Sequence, residues 1–256
     1  MTDYCQDLVR AGDKDRFLAN LFAPADKRPH LMALHAFDLE IARVREAVSE
    51  PRLGEIRLQW WLDTLDGIYA GEPVAHPVAE ALARAIEIGS LPKEALRNLI
   101  LARRFDLYDD PMPSLADLEG YLGETQSALI QIAALILAGP AAQAAAAAAG
   151  LAGVAWGLAG LLRARPIHSA RGQNYLPPEL DAAGAIRHAR RRLAEARALR
   201  GTIPAAALPA FLPVSLADLY LDRLDRLGEK TLTTVADVSQ FRRQSRLWWR
   251  ARQNAF

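Results

Sequence analysis

The sequence predicts an all-α protein folded as one domain. Three observations carry that prediction. Apolar residues recur at three-to-four spacing along most of the chain, and no stretch sustains the alternate-residue pattern of a strand. Helix punctuation recurs with them, as in Gly139-Pro140, Gly201 with Pro204, and Ser114-Leu115-Ala116-Asp117 with its capping-box spacing. The 256 residues are 51% hydrophobic and 24% charged, enough chain to bury most of the surface its unfolded form exposes. No repeat, low-complexity linker or composition shift divides them, so residues 1–256 read as a single unit.

The elements follow in order. Residues 2–22 place Leu8, Val9, Phe17, Leu18, Leu21 and Phe22 on one face, and Ala23-Pro24-Ala25-Asp26 turns into the next helix with Asp26 as its cap. That helix buries Leu34, Phe37, Ile41 and Val44. It also carries Asp38, Glu40, Arg43, Arg45 and Glu46, which are either a solvated face or the wall of a polar site. Pro51 and Gly54 interrupt the pattern. A further helix is expected from Glu55, burying Ile56, Leu58, Trp60 or Trp61, and Leu65. Helices are expected from His76-Pro77 to Ile88, from Pro92 to Phe105 and from Leu115 to Ala138. The Ala-rich run that follows spans a bilayer's length without charge between Ala144 and Leu162. Alanine and glycine gain little from lipid, and Gly150, Gly153, Gly157 and Gly160 suit close helix packing, so it reads as a buried central helix. Pro166 should break or kink it, leaving residues 167–176 as a polar connection. A charged helix over 182–200, a helical region over 209–227 and a last helix over 237–253 complete the chain.

Composition removes several function classes. Net charge +1 carries no general nucleic-acid signal. One cysteine, Cys5, excludes an intramolecular disulfide framework and a cysteine-rich zinc site, and suits a reducing, cytoplasmic setting. The acidic start, with Asp3, Asp7 and Asp13, does not read as a signal peptide. There is no phosphate-binding glycine loop and no nucleophile elbow. His30, His35, His76 and His188 lack ligand spacing, and Asp109-Asp110 sits among prolines as a solvated loop. Trp60-Trp61 and Trp248-Trp249 read as core and helix-docking residues, with seating at a membrane surface as the other option.

Ala36-Phe37, the charged turn after it and Gln59-Trp60-Trp61 are similar to the first signature of the squalene/phytoene synthase family, roughly A-F-C-R-x-x-D-D-x-x-D. Gly157 to His168, followed by Arg171-Gly172-Gln173-Asn174-Tyr175-Leu176-Pro177, is similar to the second, roughly Q-L-T-N-I-L-R-D-x-x-x-D and then G-R-x-Y-L-P. The resemblance implies a single isoprenoid synthase bundle around a central cavity. It also implies head-to-head prenyl transfer, in which aspartates hold magnesium against a substrate diphosphate. Here the first set of aspartate positions falls on Ala42, Arg43 and Glu46, and the second on Ala164 and His168. The family's Gln and Asn fall on Gly157 and Gly160. One carboxylate is too few for a magnesium cluster, so no metal, cofactor or catalytic residue is assigned.

The same departures, with Ala207-Leu208-Pro209-Ala210-Phe211-Leu212, resemble the branch that includes the mitochondrial complex I assembly factor and its alphaproteobacterial counterparts. That resemblance implies a non-catalytic protein acting in assembly of the respiratory NADH dehydrogenase. Subunits or assembly factors of that complex would be its partners. It would be cytoplasmic, or in the mitochondrial matrix of a eukaryote, and peripheral to the inner membrane. An active prenyltransferase and a polyprenyl-lipid or diphosphate binder are the alternatives. Asp38, Arg43, Glu46, Arg163, His168 and Tyr175 are the residues expected at the vestigial cavity. Arg43, Arg45, Arg163 and Arg165 either pair with Asp38, Glu40 and Glu46 or form a metal-free anion site. Arg43, Glu46, Ala164 and His168 are expected to converge at one mouth.

Overall fold

The computed structural model describes residues 4–108 and 110–256, and every regular element among them is helical. Helices α1 (Tyr4–Gly12) and α2 (Lys14–Asn20) meet at Asp13, whose carboxylate caps α2 by accepting from the Arg16 N–H. Helix α3 (Arg28–Ala42) is capped by Lys27 without a side-chain bond, so Asp26 is not its cap; a Val44–Ala47 3₁₀ turn follows. Helix α4 runs Pro51–Ala70, four residues longer at its start than expected, because Pro51 sits in the first turn where its missing N–H costs nothing. Its Leu58, Trp61 and Leu65 are buried, while Ile56 and Trp60 are exposed. Trp61 packs edge-on to Phe37 at 5.2 Å.

Helices α5 (Pro77–Gly89) and α6 (Lys93–Ala102) are followed by a 3₁₀ turn at Phe105–Leu107. Of the Asp109-Asp110 pair, Asp109 lies outside the described residues. Ser114 caps α7 (Leu115–Leu122) by accepting from the Asp117 N–H, as the spacing predicts. A π turn at Gly123–Ser127 joins α7 to α8 (Ala128–Ala138). Helix α9 (Ala146–Ala170) is the central element, packed on α8, α10 (Ala182–Ala198), α7 and the helix over Ala217–Leu227. Its Ala148, Ala152, Ala155, Trp156, Leu158 and Leu162 are buried in the bundle. Pro166 does not break the helix, which runs on to Ala170, so the connection expected from residue 167 starts later. Contacts hold both sides of the proline: Arg165 donates to Thr231 at 2.9 Å, and the His168 ring lies 4.7 Å from that of Tyr175 in a tilted arrangement.

Helices α11 (Leu208–Phe211), α12 (Ala217–Leu227) and α13 (Gln240–Arg252) close the bundle. Helix α13 docks through Leu247, while Trp248 and Trp249 stand half-exposed rather than in the core. Leu21 and Phe22 are likewise exposed, in the turn after α2.

Candidate functional site

Helices α2, α3 and α9, the π turn and the start of α13 surround a cavity of about 480 Å³. Three carboxylates line it: Asp13, 3.4 Å from Arg16, and Asp38 and Asp15, each of which stands between two arginines. Asp38 on α3 accepts from Arg16 Nη1 at 2.8 Å and from Arg103 Nη2 at 2.9 Å. Asp15 on α2 accepts from Arg243 Nη1 at 2.8 Å and from the Tyr220 hydroxyl, with Arg163 Nη1 at 3.7 Å. The Arg163 guanidinium lies over the Tyr220 ring, 3.6 Å from its centroid. Arg16, Asp15, Asp38 and Arg103 are all buried. Burial pushes the Asp38 carboxyl up, but Arg103 and Arg16 together outweigh it and hold it below its ordinary range. The π turn serves the same wall: it aims Gln126 at the second arm of Arg16, Oε1 to Nη2 at 2.6 Å.

Arg103 also reaches a second buried acid. Its Nη1 is 3.4 Å from Asp106, and the hydroxyls of Tyr121 and Tyr175 donate to Asp106 Oδ1 at 2.7 and 3.0 Å. Here burial wins over Arg103 and the tyrosine donors, and the Asp106 carboxyl is raised. Both tyrosine hydroxyls are raised too, chiefly by burial, and act as donors. Beyond this partition lies a smaller cavity of about 290 Å³ lined by Arg165, His168, Tyr175 and Leu232. Burial and then Arg171 lower the His168 imidazole, so it is neutral near pH 7.

The six expected residues thus divide. Asp38 and Arg163 line the central cavity, and His168 and Tyr175 line the second. Arg43 and Glu46 are exposed and belong to neither lining. Glu46 pairs with Arg171 at 3.4 Å and lies near enough to His168 to oppose its lowering. Arg43 lies against Gly12, on the central cavity's rim. The expected pairing of Arg163 and Arg165 with the acids of the first signature is not found: Arg163 pairs with Asp15 and Arg165 with Thr231.

Residues 9–185 match the family model for squalene/phytoene synthase. The chain belongs to the squalene/phytoene synthase family. It is 32% identical to the human protein named NADH dehydrogenase (ubiquinone) complex I, assembly factor 6, over 88% of this chain and 74% of that one. It is 28% identical to the Drosophila melanogaster homolog of that factor, over 99% and 84%. In fold it is similar to squalene synthase HpnC from Alicyclobacillus acidocaldarius, with a TM-score of 0.73 at 21% identity over 88% and 93% of the two chains. A dehydrosqualene synthase superposes with a TM-score of 0.78 at 17% identity over 98% and 94%.

The squalene/phytoene synthase frame implies a magnesium cluster, and the residues here do not fit one. Hard divalent cations need several carboxylate oxygens free to coordinate. Ala42, Gly157 and Gly160 line the cavity where the family signatures carry Asp, Gln and Asn. The oxygens of Asp38 and Asp15 are already taken by guanidiniums and a phenol. Among the described residues no three His, Cys, Asp or Glu side chains gather into a metal-binding group. What the wall offers instead is carboxylates already engaged: Arg16 and Arg103 hold Asp38, Arg163 and Arg243 hold Asp15, and Arg16 also lies 3.4 Å from Asp13.

Sequence reasoning did not find Asp15, Arg16, Arg103, Asp106, Tyr121 or Arg243. Asp15 and Arg16 sit in Asp13-Lys14-Asp15-Arg16, which reads locally as a solvated segment. The one available signal was Arg103 and Asp106, opposite charges three apart beside the apolar end of α6.

Proposed function

We propose that this family member acts in assembly of the respiratory NADH dehydrogenase and does not perform prenyl transfer. The observation that carries the reading is the bracketing of Asp38 and Asp15 by arginine pairs in the cavity where the family's chemistry needs metal. Departure of a diphosphate requires charge neutralisation by cations held on carboxylates, and these carboxylates neutralise guanidiniums. The similarity to relatives named complex I assembly factor 6 supports the process. Subunits or assembly factors of the NADH dehydrogenase are the proposed partners. The proposed place of action is the soluble side of the membrane that carries that enzyme, as a peripheral protein. Two measurements test the reading. Affinity capture of the full chain from its source organism is expected to retain NADH dehydrogenase subunits or assembly factors. Incubation with farnesyl or geranylgeranyl diphosphate and magnesium is expected to yield no condensed product; metal-dependent turnover overturns the proposal.

A second reading has its own support. The Nε–H groups of Arg103, Arg163 and Arg243 are buried without a hydrogen-bond acceptor, and all three side chains line the central cavity. Buried donors rarely stay unsatisfied, so the cavity suits an anionic or diphosphate-bearing prenyl ligand held without metal.

A further inference from the structure

We propose that the outer face of α13 seats the protein on an anionic phospholipid surface. The proposal deepens the peripheral placement given above and names the surface responsible. The inner side of α13 is accounted for: Leu247 is buried, Arg243 is held by Asp15, and Arg246 lies 3.4 Å from Asp218. The chain end is tied down as well. Phe256 is buried against Phe211 at 5.3 Å, and its carbonyl accepts from Arg197 at 2.8 Å. The helix is therefore presented rigidly.

Its outer side has no such partners among the described residues. Phe241, Trp248 and Trp249 are 78%, 50% and 56% exposed, and they share this side with the exposed Arg242 and Arg252. Positions 241, 245, 248 and 252 follow helical spacing along one stripe. The Arg252 guanidinium lies 4.8 Å from the Trp248 ring centroid. Trp248 also edges an apolar depression of about 450 Å³ formed with Phe22, Pro24, Leu208 and Pro209, which extends the greasy surface across the bundle.

Charge decides the occupant. In a chain of net charge +1, α13 carries five arginines and no carboxylate. The polar groups around the exposed aromatics are dominated by donors, guanidinium and indole N–H. A bilayer's headgroup zone offers the complement, phosphate and ester oxygens above hydrocarbon, where Trp and Phe rings settle with arginines at their flanks. Each arginine near an anionic surface adds about fivefold to partitioning.

Flotation of the purified full chain tests this, with phosphatidylcholine vesicles compared with vesicles also containing phosphatidylglycerol. The protein is expected to float with the anionic vesicles and hardly at all with neutral ones. The double variant Arg242→Gln, Arg252→Gln should bind roughly thirtyfold more weakly. The triple variant Phe241→Ser, Trp248→Ser, Trp249→Ser should stay at the bottom of the gradient, although both variants keep the wild-type circular dichroism because every altered side chain is exposed. Failure of the wild-type to float with anionic vesicles, or undiminished flotation of both variants, overturns the proposal. Loss of NADH dehydrogenase capture from a membrane-free extract by the triple variant, with no flotation of the wild-type, makes this face a protein interface and overturns it too. Flotation without any capture leaves the surface standing and sinks the assembly role instead.

Discussion

Arg103 stands between two acids, 2.9 Å from Asp38 and 3.4 Å from Asp106, and the two respond in opposite directions. Asp38 has a second guanidinium, that of Arg16, and burial is overcome; Asp106 has phenols in its place, and burial prevails. His35 sits beside this network. Asn20 Nδ2 donates to its Nδ1 at 2.9 Å, so the ring is a neutral acceptor. Burial first and Arg16 second push its pKa down to about 3 from an ordinary 6.5. A group depressed on folding contributes stability above its unfolded pKa and loses it as pH falls toward the folded one, by up to about 1.4 kcal/mol per pH unit. The urea midpoint is therefore expected to fall as pH drops from 6.5 toward 4. His35→Gln, whose amide oxygen can still accept from Asn20, should flatten that slope. Parallel profiles for the two proteins would remove His35 from the account. His168, also lowered, contributes equally to both profiles. At this scale the sequence marked Asp38 as a candidate by its place among helix charges, but it held no sign of which arginines would meet it.

At the scale of an element, α9 shows how far pattern reading reaches. Its burial was legible from its uncharged Ala-rich composition. The four glycines all read as suited to close helix packing, and the structure separates them. A Cβ on Gly153 would lie 2.3 Å from the Cα of Ser127 in the π turn, whose hydroxyl donates to the Gly150 carbonyl at 2.7 Å. A Cβ on Gly160 would meet nothing within 4 Å, since it faces the cavity. Gly153→Ala is expected to cost about 1–3 kcal/mol or more, because backbone rather than a pliable side chain stands in the way. Gly160→Ala should stabilise by about 0.5–1 kcal/mol through helix propensity alone. Chemical denaturation of the two variants checks both signs, and equal effects would refute the close approach at Gly153. The π turn and the passage through Pro166 were not legible. Each depends on contacts made by the partner segment rather than on local preference.

Across the whole molecule, the two arginine-bracketed acids turn a cavity associated with metal ions into one where the carboxylates are occupied and three guanidinium Nε–H groups still lack acceptors among the described residues. Any anion that binds only the folded state raises the thermal midpoint. Inorganic diphosphate without magnesium is expected to raise it, by about 2–4 °C for each kcal/mol of binding linkage in a chain of this size. Magnesium alone should leave it unchanged. A shift with magnesium alone, or with diphosphate only when magnesium is added, would point back to a metal site.

Helix content, the single bundle, the buried Ala-rich helix and the loss of the signature aspartates all follow from residue order, because periodicity, caps and motif positions are properties of neighbours along the chain. The wall of the cavity is another matter. Arg16 and Asp38 are 22 positions apart, Arg103 and Asp38 are 65, and Arg243 and Asp15 are 228. Charge attracts charge at any sequence separation, and only the folded backbone decides which arginine arrives beside which acid.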